Sequence, residues 1–252
     1  PQAGKLTVNY TSTLQVTAPD LTSYNLLNAA DKLKLEQISG LYNTNRPENQ
    51  LILDQRYSNR MAAVASGVDT YWLSQPLQTG AGTKQSIYVE GGDSHIRYGA
   101  SAGYTNNKGV MKGSGRETFE GGMILSYRKN NFIVRNQLNI NSNTSDNSPY
   151  GNFSDYSRLN PYWNPFDENG NVVKTLETIA NFGIGGTSVI SNPLYNATVG
   201  TVNYSKYTGI TNNTFLEWRF NGGYRITGKL GLTKQNDEAN VFLPAGHTAF
   251  AN

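Results

Sequence analysis

Aromatic side chains crowd the segment between Tyr150 and Phe166, and their types and spacing suit ligand binding better than any other part of the sequence. The six candidate contact residues are Tyr150, Phe153, Tyr156, Tyr162, Trp163 and Phe166. Flat rings beside Asn, Asp and Arg can stack on sugars and contact peptide side chains. We predict ligand or partner contact here. The alternative is that the rings pack the loop against itself or against a capping partner.

Other residues that could carry chemistry form weaker patterns. Asp167 to Asn171 is rich in oxygen ligands, like a calcium loop, but the distal Glu of an EF-hand is missing, so we expect a plain turn. The carboxylates of Glu36, Asp54 and Asp69 could act as an acid/base pair only if the fold brought them into one cleft. We therefore predict no catalytic residue, no metal site and no cofactor, and hence no enzyme.

The composition argues against several classes of protein. The 252 residues include no Cys and two His, which excludes disulfides, thiolate catalysis and Cys-based zinc and disfavours a His-rich metal centre. The formal charge of +3 is spread along the chain, without the basic cluster that nucleic-acid binding requires. No run approaches the roughly 18 consecutive apolar residues of a membrane-spanning helix.

Alternation of apolar and polar residues is the dominant pattern, and it predicts β-strands. Between Lys5 and Val16, for example, the even positions are apolar apart from Ser12, while the odd positions are polar. The segment 82–90 shows the pattern most weakly. The predicted strands are 5–16, 82–90, 94–105, 118–128, 132–141, 216–221 and 224–233.

The length of these runs indicates a membrane barrel. They extend over about 10 to 12 residues, whereas a strand of a soluble domain has about 5 or 6. At about 3.3 Å per residue and a tilt of about 45°, a strand of about 11 residues spans about 26 Å, which matches a lipid-facing belt of roughly 25 Å.

Charged residues within the runs keep to the polar side, where they avoid the cost of about 2 to 4 kcal/mol for Arg or Lys in the middle of the lipid. They are Arg97, Glu120, Arg135, Glu217, Arg219, Arg225 and Lys229. A soluble antiparallel sheet with one wet face would show the same alternation, so this alternative stays open.

The connections alternate between short and long. Short turns rich in Gly, Asn and Asp are predicted at 91–93, 129–130 and 221–223, and long connections at 17–81, 106–115, 142–211 and after Lys234. This asymmetry is typical of bacterial outer-membrane barrels.

The first long connection should contain two helices, 25–41 and 49–64. Ser23 is the expected N-cap of the first helix and Gly40 its end. The packed stripe of that helix is predicted to be Leu26, Leu27, Ala30, Leu33 and Ile38.

Several long stretches resemble a known family. LLNAADKLKLEQISGLY, GVDTYWLSQPLQTG and VEGGDSHIRYGASAGYTNNKGVMKGSGRETFEGGMILSYR are similar to the early barrel region of SusC/RagA-type transporters. Further on, NSPYGNFSDYSRLNPYWNPFDENGN and NPLYNATVG resemble the same family. The resemblance covers nearly the whole chain.

The resemblance implies a TonB-dependent importer of the Gram-negative outer membrane, whose barrel of roughly 22 strands encloses a plug. A SusD-like surface lipoprotein would cap it, the TonB complex would supply energy, and the cargo would be an oligosaccharide or a peptide. The sequence lacks a recognisable TonB box or plug domain, and about seven strands leave both sheet edges open. We therefore expect a fragment of a larger protein.

The sequence leads to one overall prediction. Residues 1–252 form an all-β antiparallel segment of a transmembrane β-barrel, a partial TonB-dependent receptor barrel domain, with helical insertions in a long extracellular loop. Its outer face contacts outer-membrane lipid, and its function is energised nutrient import. The alternatives are a passive outer-membrane porin and a soluble carbohydrate-binding β-sandwich.

Overall fold

The computed structural model describes residues 4–181, 186–220 and 222–250. Its main element is a seven-stranded antiparallel sheet, which confirms the predicted all-β antiparallel architecture. The strands of the described residues are β1 (Gly4–Thr17), β2 (Gly80–Gly92), β3 (Ile96–Lys108), β4 (Gly115–Lys129), β5 (Phe132–Asp146), β6 (Thr175–Ala180), β7 (Thr187–Ser191), β8 (Val202–Arg219) and β9 (Arg225–Phe242).

The seven long strands follow the order β1-β2-β3-β4-β5-β8-β9, while β6 and β7 form a separate hairpin. Each of the seven predicted strands corresponds to one strand of the large sheet. Within the described residues the sheet does not close on itself, because β1 pairs only with β2 and β9 pairs only with β8.

The two last strands are longer than predicted. β8 begins at Val202, where the sequence indicated a loop up to about residue 211, and β9 continues to Phe242 instead of ending near Lys234. Both faces are mostly polar in these outer parts, from Gln235 to Glu238 for example, so the alternation contains little hydrophobic contrast there. Backbone pairing extends them nevertheless, with Val202 opposite Phe242.

The first long connection contains two helices, as predicted. They are α1 (Ala29–Ile38) and α2 (Pro47–Ala65). The expected cap of α1 was wrong: the side chain of Asn28, not Ser23, accepts the N–H of Asp31 at 2.8 Å. The expected end was correct, since Gly40 adopts the left-handed conformation that suits the residue after a helix.

The predicted packed stripe of α1 was also wrong, apart from Leu33. Because the helix begins at Ala29, it buries Ala29, Leu33 and Glu36, which are spaced by four and three residues on one face. The other four stripe candidates, Leu26, Leu27, Ala30 and Ile38, are exposed.

Strand register places most of the apolar side chains of the seven strands on one face, with Ile124, Ile133 and Phe215 among the exceptions. Directly paired residues share a face, and one row of pairs crosses the whole sheet. That row consists of Val8, Val89, Ala100, Met123, Leu138, Asn212 and Leu232. The opposite face includes a parallel row of Asn9, Tyr88, Ser101, Gly122, Asn139, Thr211 and Thr233. We call these the apolar face and the polar face.

The apolar face is open to its surroundings. Leu14 is 73% exposed, Met123 60% and Leu230 59%, values far from those of a packed core. A soluble sandwich would bury such rows against a second layer. In the described residues, the second sheet is only the short β6–β7 hairpin, and these side chains stay exposed.

One polar cluster interrupts the apolar face. Asn136 and Asn212 exchange side-chain hydrogen bonds of 2.9 and 3.1 Å, and the amide of Asn136 also donates to the hydroxyl of Thr214 at 2.8 Å. Because the three groups bond to one another, their exposure to an apolar medium costs less than that of isolated polar groups.

The short connections meet at one end of the sheet. Asp93 stabilises the β2–β3 turn by accepting the N–H groups of His95 and Ile96. Asn130 in the β4–β5 turn has a positive φ, which Asn tolerates better than most residues. Of the predicted third turn, Gly222 and Gly223 have positive φ, and Asn221 lies outside the described residues.

The hydrophobic core lies at the other end, in the long connections. We call residues 18–79 together with 147–181 and 186–201 the loop assembly. Its buried cluster comprises Ala29, Leu33, Tyr42, Trp72, Leu73, Tyr156, Tyr162, Trp163 and Leu194. None of the helices in the described residues has the length and apolar character needed to cross a membrane.

Candidate functional site

A groove in the loop assembly lies between α2 and β6 and has a volume of about 910 Å³. This volume is within the usual range for ligand sites, about 300 to 1,000 Å³. Its walls include Leu51, Ile52, Arg56 and Arg60 from α2 and Thr175 to Thr178 from β6, and Tyr162, Trp163 and Asn164 also line it.

A buried charged network connects the groove to the core. The guanidinium of Arg60 donates to the Glu177 carboxylate at 2.8 and 3.3 Å and to a Glu36 carboxylate oxygen at 3.3 Å. Arg60 and Glu36 are almost fully buried, and Glu177 is mostly shielded. One arginine therefore joins α1, α2 and β6.

Aromatic hydrogen-bond donors complete this network. The Tyr42 hydroxyl donates to Glu36 at 2.6 Å, the Tyr162 hydroxyl donates to the same carboxylate at 3.0 Å, and the Trp163 indole N–H donates to Glu177 at 2.8 Å. The Arg60 guanidinium also lies 4.8 Å from the centre of the Tyr162 ring. Both buried carboxylates are thus satisfied by several donors, as buried charges require.

Burial changes the acidity of these groups. It raises the pKa of Tyr42 to about 12, with a further contribution from the hydrogen bond to Glu36. Burial likewise raises the pKa of Tyr162. For Arg60, burial lowers the pKa, but the hydrogen bonds and charges of Glu177 and the neighbouring tyrosines outweigh it, so the pKa is raised overall. The Arg60 guanidinium therefore remains charged, and the phenols of Tyr42 and Tyr162 remain neutral around pH 7.

The six predicted contact residues differ in how much of their surface is exposed. Tyr162 and Trp163 line the groove, although most of their surface is buried. Phe166 is 40% exposed. Tyr156 has no exposed surface, and its hydroxyl donates to the carbonyl of Tyr150 at 2.7 Å.

Phe153 begins α3 (Phe153–Tyr156), a single helical turn, and its ring meets the edge of Tyr24 at 5.8 Å. Tyr150 and Phe153 are half-buried and pack against the core cluster. The geometry brings Tyr150, Phe153, Tyr156, Tyr162 and Trp163 into one packed assembly, and ligand contact by any of the six stays a prediction.

The carboxylates considered for acid/base chemistry do not converge. Glu36 belongs to the Arg60 network, Asp69 accepts the N–H of Ala29 at 2.9 Å, and Asp54 accepts the amide of Gln50 at 2.7 Å. Each has a separate structural partner.

The oxygen-rich segment from Asp167 to Asn171 forms a turn. The Asp167 carboxylate accepts the backbone N–H groups of Asn169 and Asn171 and the side-chain amide of Asn171. Within residues 4–181, 186–220 and 222–250, no group of three or more His, Cys, Asp or Glu side chains could hold a metal ion.

Sequence reasoning missed the Arg60 network. Its members are far apart in the chain: Glu36 and Arg60 are 24 positions apart, and Arg60 and Glu177 are 117 positions apart. Each is an ordinary charged residue in its own segment. No local signal marks them, because the network exists only after the two long connections pack together.

The comparisons with known proteins support the fold. No family model and no curated protein matches the sequence. Among solved structures, the RagAB peptide importer in its closed-closed state has a TM-score of 0.66 and 17% identity, over 94% of this chain and 29% of that chain. Its open-open state has a TM-score of 0.65 and 16% identity, over 95% of this chain and 28% of that chain.

A further structure, of the RagAB peptide transporter, has a TM-score of 0.66 and 17% identity, over 93% of this chain and 28% of that chain. The chain thus spans less than a third of the length of each of these proteins. At this level of identity the likeness concerns the fold alone, and it confirms the SusC/RagA-like fold that the sequence suggested.

Proposed function

We propose that this chain is a wall segment of an outer-membrane β-barrel transporter of Gram-negative bacteria, which imports peptides or oligosaccharides with energy from the TonB complex. The observation that carries the proposal is the exposed apolar face of the seven-stranded sheet, opposite a polar face. In a barrel, these faces would contact lipid and the polar interior, respectively.

The same observation disfavours a soluble carbohydrate-binding sandwich. Exposed apolar patches on soluble monomers rarely exceed a few hundred Å². Here exposed apolar side chains occur on all seven long strands, including Leu6, Ile87, Tyr98, Leu125, Phe132, Leu216 and Ile226. Water would penalise such a surface, whereas the hydrocarbon of a bilayer would stabilise it.

The loop assembly is the proposed site of cargo capture. It holds the groove between α2 and β6 at the end of the sheet where the long connections meet. The similar solved structures are described as a peptide importer, which favours peptide cargo over oligosaccharide. A SusD-like lipoprotein would cover this end and share the loop surface with the cargo.

The proposal is tested with the full-length protein that contains this chain, in cells with and without an active TonB complex. We expect membrane fractionation to place it in the outer membrane and uptake of a labelled peptide mixture to require TonB. Uptake that continues without TonB would indicate a passive porin, and recovery in the aqueous fraction would contradict the membrane assignment.

Two leucine variants test the groove. Leu51 lines it and is exposed, so Leu51→Glu should weaken cargo capture without unfolding the loop assembly. Leu41 is also exposed but lies outside the groove lining, which makes Leu41→Glu a matched control. Equal uptake by both variants would remove the groove from the proposal.

A further inference from the structure

Three arginines surround one small cavity on the polar face, near the short turns. Strand register puts Arg97 and Arg135 on either side of Ser126, and Arg128 lies two residues further along β4 on the same face. Their side chains line a cavity of about 50 Å³ together with Ser94, His95 and Ser126. The site therefore combines three cations with two hydroxyl groups.

These guanidiniums have no carboxylate partner in the described part of the chain, where no ion pair within 4 Å involves Arg97, Arg128 or Arg135. The side chain of Arg97 reaches only the carbonyl of Asp93, at 3.4 Å. Arg135 lies over the ring of Phe215 at 5.9 Å.

Three acidic groups near this end of the polar face, Glu90, Asp93 and Glu217, have other partners; Glu90 accepts the hydroxyl of Tyr88 at 3.0 Å. The Asp93 carboxylate accepts two backbone N–H groups of its own turn. Glu217 pairs with Arg219 at 2.6 Å and lies 4.0 Å from Arg225. None of these carboxylates is within ion-pair distance of the three arginines, and the described lining of the cavity contains three guanidinium groups and no carboxylate.

Clustered cations of this kind favour an anionic ligand. Guanidinium groups bind carboxylates through paired, charge-assisted hydrogen bonds. A concave surface of one charge between low-dielectric walls also concentrates ligands of opposite charge. Inside a transmembrane pore, rings of Arg and Lys select anions in the same way.

We propose that Arg97, Arg128 and Arg135 form a binding site for the carboxylate groups of an acidic linear cargo, at the short-turn end of the barrel interior. This inference rests on the proposed function, which places the polar face inside. The row of paired residues that includes Arg97 and Arg135 continues through Phe215 to Lys229. A further cation therefore lies two strands beyond Arg135. Two strands correspond to about 10 Å, or about three residues of an extended peptide.

Binding to the purified full-length protein tests the site directly. The probes are fluorescent hexaglutamate, hexaglutamine and oligogalacturonate, measured by fluorescence polarisation at low and high salt. We expect a carboxylate chain to bind at least about tenfold more tightly than hexaglutamine, with the difference reduced by salt. Tighter binding of hexaglutamate would indicate that the carboxylates belong to a peptide, and tighter binding of oligogalacturonate would indicate that they belong to a glycan.

The decisive variant replaces Arg97, Arg128 and Arg135 by Gln and should abolish this preference. The control variant replaces Lys84, Arg116 and Lys234 by Gln. It removes the same number of positive charges from outside the cavity and should leave the preference unchanged. The single variant Arg128→Gln, at an exposed position, gives a second measurement if the triple variant folds poorly.

The inference is overturned if neither carboxylate chain binds better than hexaglutamine, or if the control variant loses as much binding as the decisive one. Continued TonB-dependent uptake of neutral cargo in that case would leave the transporter proposal standing. Absence of the protein from the outer membrane would instead contradict both the transporter proposal and the carboxylate site.

Discussion

At the residue scale, the loop assembly depends on Arg60, which bonds to two carboxylates from different segments, Glu36 and Glu177. Removing one partner of a buried ion pair leaves an uncompensated charge, and this costs more than the pair contributes. The network therefore fixes how α1, α2 and β6 pack, and so shapes the groove.

Arg60→Met should destabilise the loop assembly by about 3 to 5 kcal/mol, because Glu177 would lose its guanidinium partner. Native-state hydrogen exchange of α2 in the full-length protein measures this local stability. Arg46→Met is the matched control, since Arg46 is exposed at the start of the same helix, and its effect should stay within about 0.5 kcal/mol. Equal effects would show that the network has no special role.

The buried tyrosines should make the loop assembly sensitive to alkaline pH. The pKa of Tyr42 rises from 10.0 in the unfolded chain to about 12. The folded state favours the neutral phenol, so this contribution to stability is complete below about pH 10 and is lost as the pH rises through about 12. Ultraviolet absorbance of tyrosinate should show a late step that Tyr42→Phe reduces. If the part of the absorbance change that Tyr42→Phe removes lay at the ordinary tyrosine pKa, the buried geometry would be contradicted.

The aromatic segment shows how far single residues can be interpreted from sequence. Their crowding between Tyr150 and Phe166 indicated an unusual loop. It did not indicate that Tyr156 would be fully enclosed while Phe166 stayed exposed. That difference depends on partners such as Glu36, 126 residues from Tyr162, which the sequence does not place nearby.

At the element scale, strand prediction succeeded where the two faces differ in polarity. β3, β4 and β5 show clear alternation and were found near their predicted bounds. The outer part of β9, from Gln235 to Glu238, is polar on both faces, so only its ladder with β8 defines it. Alternation therefore predicts the part of a strand that crosses an apolar layer, but it does not predict how far the strand extends beyond that layer.

The helix α1 illustrates a local signal that was misread. Both Ser23 and Asn28 suit an N-cap, and tertiary contacts decide between them, because Asp69 accepts the N–H of Ala29. Asn28→Ala should destabilise α1 by about 1 kcal/mol, whereas Ser23→Ala should have little effect. Hydrogen exchange of the N–H of Asp31 measures the difference. The reverse order of effects would restore the cap at Ser23.

A charge placed on each face of β4 tests the orientation of the sheet. Met123 is on the apolar face and its neighbour Ile124 is on the polar face. In the full-length protein, Met123→Arg should make the free energy of folding into phospholipid vesicles less favourable by about 2 to 4 kcal/mol, since Arg would lie near the lipid midplane. Ile124→Arg is the control and should fold almost normally. Similar losses in both variants would mean that β4 does not separate lipid from water.

At the scale of the whole molecule, the hydrophobic core lies at one end of the sheet. Among the described residues, it does not lie between one face of the sheet and a second layer. The buried cluster belongs to the loop assembly, while the apolar face has exposed side chains on every long strand. The sequence revealed this arrangement through strand length and through the alternation of short and long connections. The packing of the long connections on one another required long-range contacts, such as that of Thr70 with Pro161.

The central claim, that the apolar face contacts lipid, is tested most directly by scanning β4 with single cysteines, since this chain has none of its own. Each position from Phe119 to Tyr127 in the full-length protein would carry a fluorescent label in lipid vesicles. We predict that quenching by brominated lipid alternates with a period of two, strong at Phe119, Gly121, Met123, Leu125 and Tyr127 and weak at the four positions between them. Uniformly weak quenching, with all labels reached by iodide from the water, would contradict the account.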